Sequence, residues 1–192
     1  YLVAPSFRHK HIFEETKYLF VDNKCLLTVL PVDAALAGEF LSVVIGTLER
    51  INGKQCHKLF VKNHPANKEK RVEDYIEIKT PLTTMIEYVE DSIDKSVIGK
   101  SCVLLCDTTA VLEVALMGVP FMIYNPKGCL SKLCDPMDVL NIAENNVFYD
   151  EHQLMDGLQD LHSKRLIISN LEETKNKLFC KVSEETVSAL IG

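Results

Sequence analysis

The sequence predicts an α/β fold: a three-layer α/β/α sandwich around a mainly parallel sheet. Short, continuous apolar runs recur along the chain, and each is followed by a stretch with helical spacing. The runs lack the alternation of a sheet with one wet face, so they read as strands covered on both sides. The length of 192 residues, 47% of them hydrophobic and 25% charged, suits one packed domain and is short for two.

Taken in order, residues 1–23 are mixed and aromatic-rich and read as a lead-in segment to a domain over residues 24–192. Residues 25–30 form the first apolar run. Asp33 can cap a helix in which Leu36, Phe40, Val44 and Leu48 recur every four residues, with Leu41 and Ile51 widening the stripe and Asn52-Gly53 ending it. Lys58–Lys62 is the second strand. A polar excursion then leads to a brief strand over residues 75–78. Pro81 fits a first helical turn ahead of Met85, Ile86 and Val89. Residues 102–106 form the next strand, 108–117 a helix and 120–124 another strand. Residues 125–138, with Pro126, Gly128 and Pro136, read as a long surface loop. A last strand over 147–149 precedes a helix over 151–161. Ser169-Asn170-Leu171-Glu172 fits a capping box that opens a polar C-terminal helix. Strand–helix alternation of this kind implies parallel strands with helices on both faces, a Rossmann-like arrangement.

The net charge of −6 argues against a general electrostatic grip on nucleic acid. The longest apolar runs are too short or too interrupted to span a bilayer, so any membrane association is expected to be peripheral at most. The chain begins at Tyr1 and not Met, which reads as an excised piece of a longer protein. Cys25, Cys56, Cys102, Cys106, Cys129, Cys134 and Cys180 include no CxxC pair and no zinc-ligand spacing. An odd set of thiols placed partly in apolar strands is expected to be reduced and structural, as in a cytoplasmic protein.

Ligands bind at the carboxyl ends of strands in open parallel sheets, and three such places carry unusual residues. In Lys62-Asn63-His64-Pro65 a strand ends in a cation and an imidazole, and the proline holds His64 extended. Such a histidine can donate to a phosphate oxygen, or it can be a turn histidine bonded to a neighbouring carbonyl. In Cys106-Asp107-Thr108-Thr109 a buried strand runs straight into a helix. The free first-turn amides and two hydroxyls there suit an anion; equally, Asp107 or Thr108 can simply cap the helix. Glu113 lies one turn further on among Leu112, Ala115, Leu116 and Val119, where it could hold ribose hydroxyls or face solvent. The first strand is followed by neither GxGxxG nor a P-loop, and there is no GxSxG, HExxH or metal cluster.

Together, residues 62–124 resemble the C-terminal domain of GT-B glycosyltransferases, most closely the bacterial surface- and capsule-polysaccharide branches. Lys62-Asn63-His64-Pro65 is similar to their histidine-proline motif at the donor phosphate. Asp107-Thr108-Thr109 is similar to their hydroxyl pair at the same phosphate, with threonines in place of the commoner serines. The segment from Thr109 to Pro120 resembles the one in which Glu113 would hold the donor ribose. Val3-Ala4-Pro5-Ser6-Phe7-Arg8 resembles the interdomain segment before this half.

The resemblance implies a CMP-, CDP- or UDP-linked sugar as donor, with no metal or other cofactor. It assigns Lys62, His64, Pro65, Asp107, Thr108, Thr109 and Glu113 to donor binding, with His64 catalytic. It also implies a glycan or lipid-linked acceptor held by an N-terminal half outside this chain, which alone would bind and not turn over. The expected place is the cytoplasm, or the inner face of the membrane. A UDP-N-acetylhexosamine 2-epimerase shares the fold and a similar glutamate segment, and a non-catalytic α/β binding domain is the alternative from another class.

Overall fold

Cys25–Val29 forms β1, a strand of which only Cys25 is not fully buried, and the order of the remaining elements follows from what covers it. The structure, a computed structural model, describes residues 24–51, 58–77, 85–126 and 144–164, together with Glu173 and Lys175. After β1 come α1 (Ala34–Ile51), β2 (Lys58–Lys62), β3 (Met85–Tyr88), α2 (Ile93–Ser96), β4 (Cys102–Leu105), α3 (Ala110–Leu116), β5 (Phe121–Tyr124), β6 (Val147–Phe148) and α4 (Glu151–Gln159). Single 3-10 turns occupy Pro65–Asn67, Val72–Asp74, Glu144–Asn146 and Leu161–Lys164.

The six strands pair in the order β3-β2-β1-β4-β5-β6, and every pairing is parallel. The winding runs outward from β1 to β3, then returns to the other side of β1 at β4. Right-handed crossovers in opposite directions place helices on opposite faces. One core layer therefore joins Leu26, Leu30, Leu59, Leu104 and Met122 to Phe40, Leu41, Val44 and Leu48 of α1 and Leu154 of α4. The other joins Leu27, Val29, Val103, Leu105, Phe121 and Ile123 to Ile93 of α2 and Val111, Val114 and Ala115 of α3. This is the expected Rossmann-like sandwich.

Local chemistry explains the long helix. The Asp33 carboxylate accepts from the Leu36 amide at 2.8 Å, and of the recurring residues Phe40, Leu41, Val44 and Leu48 are buried while Leu36 and Ile51, at the helix ends, are half-buried. Two glycines let α1 lie close to its neighbours. A Cβ on Gly38 would come within 2.8 Å of the Tyr75 carbonyl oxygen, and one on Gly46 within 2.6 Å of the Glu151 carboxylate, which Arg50 pairs at 2.9 Å. Thr28, on the α1 side of β1, is fully buried with its hydroxyl unpartnered, a local cost of about 1–3 kcal/mol.

Two expectations fail in the segment between β2 and β4. Tyr75 and Ile76 form a turn after Val72–Asp74, so no strand runs from Tyr75. The residues Met85, Ile86 and Val89 do not make a helix: Met85–Tyr88 is β3, paired alongside β2 from Lys58↔Met85 to Val61↔Tyr88. Ile86 and Tyr88 pack on the α1-side core, whereas Glu87 takes the other face and pairs Lys58 at 2.5 Å. Apolar residues at positions 85, 86 and 89 fit a helical stripe, but β2's open edge rewards the extended form. The helix comes later and is one turn long.

Elsewhere the boundaries shift slightly. α3 starts at Ala110 and not at position 108, and α4 ends at Gln159 before the 3-10 turn at Leu161–Lys164. The lead-in at 1–23, the stop at Asn52-Gly53, Pro81, most of the 125–138 loop and the C-terminal capping box lie outside the described residues. No helix among the described residues is long and apolar enough to cross a membrane.

Two tests follow from this packing. Gly38→Ala is expected to destabilise by about 1–3 kcal/mol, because a backbone carbonyl cannot move aside as a side-chain tip can. That loss should outweigh the helix-propensity gain of about 1 kcal/mol. Gly46→Ala should be milder, since the Glu151 side chain can swing away; urea midpoints of equal size for both variants would contradict the close approach at Tyr75.

Burial also pushes the thiols of Cys102 and Cys106 up to about 12. Unfolded thiols ionise near about pH 8.5, so the neutral buried thiols stabilise the fold fully below that pH. The contribution should fall away as the pH rises from about 8.5 towards 12. Urea midpoints followed through this range should drop more steeply for the wild type than for a Cys102→Ala, Cys106→Ala double variant, and parallel slopes would remove the thiols as the cause.

Candidate functional site

Parallel pairing sends every strand exit to the same edge of the sheet, and β1 fixes how the exits line up. Val29 is level with Lys62 of β2 on one side and with Leu105 of β4 on the other. Across that edge the turns run in the order β2 exit, β1 exit, β4 exit. Strands neighbour each other at about 4.8 Å, which puts the β2 and β4 exits roughly 10 Å apart with the β1 exit between them. The reversal of strand order between β1 and β4 is where an open sheet leaves a crevice.

At the β2 exit, His64 is extended at φ −63° and ψ 142° and caps the 3-10 turn Pro65–Asn67. Its Nδ1 accepts from the Ala66 amide at 3.2 Å. An acceptor Nδ1 places the ring proton on Nε2, which leaves Nε2–H as the donor available to a ligand. The histidine is thus bonded within its own turn, but as an acceptor of an N–H and not as a donor to a carbonyl. The turn leans on the β1 exit: the Asn67 side-chain Nδ2 donates to the Val32 carbonyl at 2.8 Å, and Leu30 N–H donates to the Lys62 carbonyl at 2.9 Å. Lys62 itself is directed elsewhere, with its ammonium donating to the Asp91 carbonyl beyond β3. Burial pulls its pKa below the ordinary lysine range, against the opposing pull of Asp91, Asp94 and Glu90.

At the β4 exit the backbone turns sharply. Asp107 sits at φ 41°, in the left-handed region that aspartate tolerates better than most residues. It is exposed, as is Thr109, while Thr108 is half-buried. The Thr108 hydroxyl accepts from the Ala110 amide at 3.3 Å, so the capping role is filled by Thr108. A hydroxyl that accepts one bond can still donate its own proton, so capping leaves Thr108 able to donate to an anion. Thr109 stands at the N-cap in helical conformation without a side-chain bond to the helix.

Glu113 is only 6% exposed, which removes the solvent-facing alternative. It lies four residues after Thr109, so the two share one face of α3, with Thr109 at the rim and Glu113 one turn deeper.

Two further residues at this edge carry no distinctive sequence motif. Asn125, directly after β5, is 9% exposed, and its side-chain oxygen has no hydrogen-bond partner. Its backbone N–H donates to Phe148 at 3.0 Å, which holds the residue at the mouth between β5 and β6. Glu39 of α1 lies close enough to raise the pKa of Cys106 and Tyr124, after the larger effect of burial. A lone asparagine after a strand gives no sequence signal; only its burial distinguishes it.

The edge therefore sets the His64 turn and the Asp107–Thr109 turn on either side of the β1 exit, with Glu113 buried one helical turn into α3 and the Lys62 ammonium directed to the Asp91 carbonyl. Compared with known proteins, the chain matches no family model, no curated protein and no solved structure.

Proposed function

We propose that the chain is the donor-binding half of a GT-B-type glycosyltransferase that acts in surface or capsular polysaccharide biosynthesis and takes a pyrimidine-nucleotide sugar. The supporting observation is the shared placement of the His64 turn and the Asp107–Thr109 turn on either side of the β1 exit, at the point where strand order reverses. A nucleotide laid across that crevice would meet donors from both turns. Its ribose would fall one helical turn below the rim, where Glu113 is sheltered from water and can accept from two hydroxyls.

In this reading His64 Nε2–H donates to a phosphate oxygen, and its contribution grows as negative charge collects on the departing nucleotide. The Thr108 and Thr109 hydroxyls add donors on the opposite side. The acceptor and the group that activates it belong to an N-terminal half outside this chain, so the isolated chain binds donor weakly.

Titration with CMP, CDP and UDP, followed by NMR, should shift the signals of Asn63–Ala66 and Asp107–Thr109 at millimolar ligand. Glu113→Gln should weaken that binding by about 1–3 kcal/mol, the range for a hydrogen bond to a charged group. No localised shifts would remove the nucleotide site, and equal affinity for the folded variant would remove Glu113 from it.

In the full-length protein, His64→Ala should lower kcat more than it raises the KM for donor. A variant that changes KM alone would reduce His64 to a binding residue. Conversion of UDP-N-acetylhexosamine without any acceptor would instead select the epimerase.

A further inference from the structure

On the flank of the same edge, away from β4, β2 and β3 open into a cavity of about 240 Å³. Its polar lining comes from Lys62, Asn63, Lys68, Arg71, Tyr88 and Glu90. Three cations and one carboxylate line it, with Asp91 and Asp94 close to Lys62 and Glu69 beside Lys68 outside the lining.

The cations are held in different ways. The Arg71 guanidinium stacks over the Tyr88 ring at 4.3 Å, and the Tyr88 hydroxyl is itself fixed by accepting from the Val72 amide at 2.8 Å. Contact with the ring holds the guanidinium in place and leaves its N–H edges to pair two oxygens of an oxyanion. Lys62 gives one of its three N–H donors to the Asp91 carbonyl, and the other two remain for a ligand. Lys68 is 74% exposed and only loosely paired with Glu69 at 3.6 Å, so it can swing across the mouth.

The floor is rigid: Asn63 donates to the Lys70 carbonyl at 2.8 Å, which closes the loop that carries Lys68. Volume limits the occupant. Pockets for drug-sized ligands run to about 300–1,000 Å³, so this one suits a single small anion or one ring that carries it, and is too small for a nucleotide.

We propose that this cavity is an oxyanion subsite, separate from the donor crevice, that takes the phosphate or carboxylate of a small ligand of about one sugar ring. Arg71 provides the paired N–H edge, Lys62 an inner ammonium and Lys68 a mobile outer one. Charge-assisted bonds of this kind are roughly twice as strong as neutral ones. The subsite shares Lys62 and Asn63 with the strand end that carries His64 but takes no residue from the Asp107–Glu113 segment, so shifts at Asp107–Thr109 tell the two readings apart.

The test is an NMR titration of the chain with inorganic phosphate, glucose 6-phosphate, glucuronate and, as a neutral control, glucose. The charged probes should shift Lys62, Lys68, Arg71 and Tyr88 and leave Asp107–Thr109 unmoved, and added salt should weaken them. Glucose 6-phosphate binding more tightly than phosphate identifies a sugar-borne anion; equal binding identifies the free anion as ligand of the same subsite.

Lys68→Gln, at an exposed position, should weaken binding about threefold or more, and Arg71→Gln about tenfold or more. Arg71→Lys should recover only part of the loss, because it restores charge without the planar fork. Glucose binding as well as the charged probes, no shifts at tens of millimolar, or unchanged affinity in folded Lys68→Gln and Arg71→Gln would overturn the subsite. Nucleotide shifts at Asp107–Thr109 would survive that result, and their absence would leave the subsite standing.

Discussion

The hydrogen-bonded pairing of β1 with a parallel strand on each side is the constraint on which the rest of the structure depends. A strand buried on both faces and paired on both edges has no freedom left in register. Val29 therefore fixes the heights of Lys62 and Leu105 together, and with them the turns that follow. Because all pairings are parallel, the turns that bear His64 and Thr109 arise at one edge without any contact between them in sequence. Thr28, inside β1, keeps a buried hydroxyl without a partner.

Above the sheet, α1 links the two ends of the edge. Phe40 stacks on Tyr124 with centroids 5.4 Å apart and planes at 11°, and Phe148 closes the group at 5.4 Å from Tyr124 and 6.2 Å from Phe40. These rings lie under the exits of β5 and β6, so the wall near Asn125 rests on packed aromatic surface. Gly38 and Gly46 draw α1 against the Tyr75 turn and against α4. The same helix thus braces the loop behind the β2 exit and the far flank of the crevice. Rigid support of this kind keeps donors such as His64 Nε2 in place before a ligand arrives.

Electrostatics divide the edge into two regions with different occupants. Around the β1 and β4 exits the fixed charges are mainly acidic, from Asp33, Glu39 and Asp107, and the available donors are neutral hydroxyls and an imidazole. Beyond β2, Lys62, Lys68 and Arg71 gather around one cavity, with Glu90 in its lining. Lys62 belongs by sequence to the His64 motif, yet its ammonium reaches the Asp91 carbonyl on the β3 side. Desolvation lowers its pKa, and the acidic residues after β3 resist that change. The motif read as one unit in the sequence thus serves two neighbouring places in the fold.

The sequence by itself determined the sandwich, five of the six strands, the capped α1 and the strand-end positions of His64, Thr108 and Thr109. Those features rest on local signals: apolar runs, four-residue spacing and a carboxylate one residue before a helix. It did not determine β3, because Met85-Ile86-Glu87-Tyr88 fits either period and only the open edge of β2 decided between them. Nor could it show that Glu113 is buried, that the Lys62 ammonium reaches the Asp91 carbonyl, or that the Asn125 side-chain oxygen is sheltered without a partner. Burial and side-chain direction are properties of what packs against a residue, and for these residues the neighbours come from distant parts of the chain. Arg71 over Tyr88 is the clearest case: seventeen positions separate them, and only the return of the chain as β3 beside β2 brings the guanidinium onto the ring.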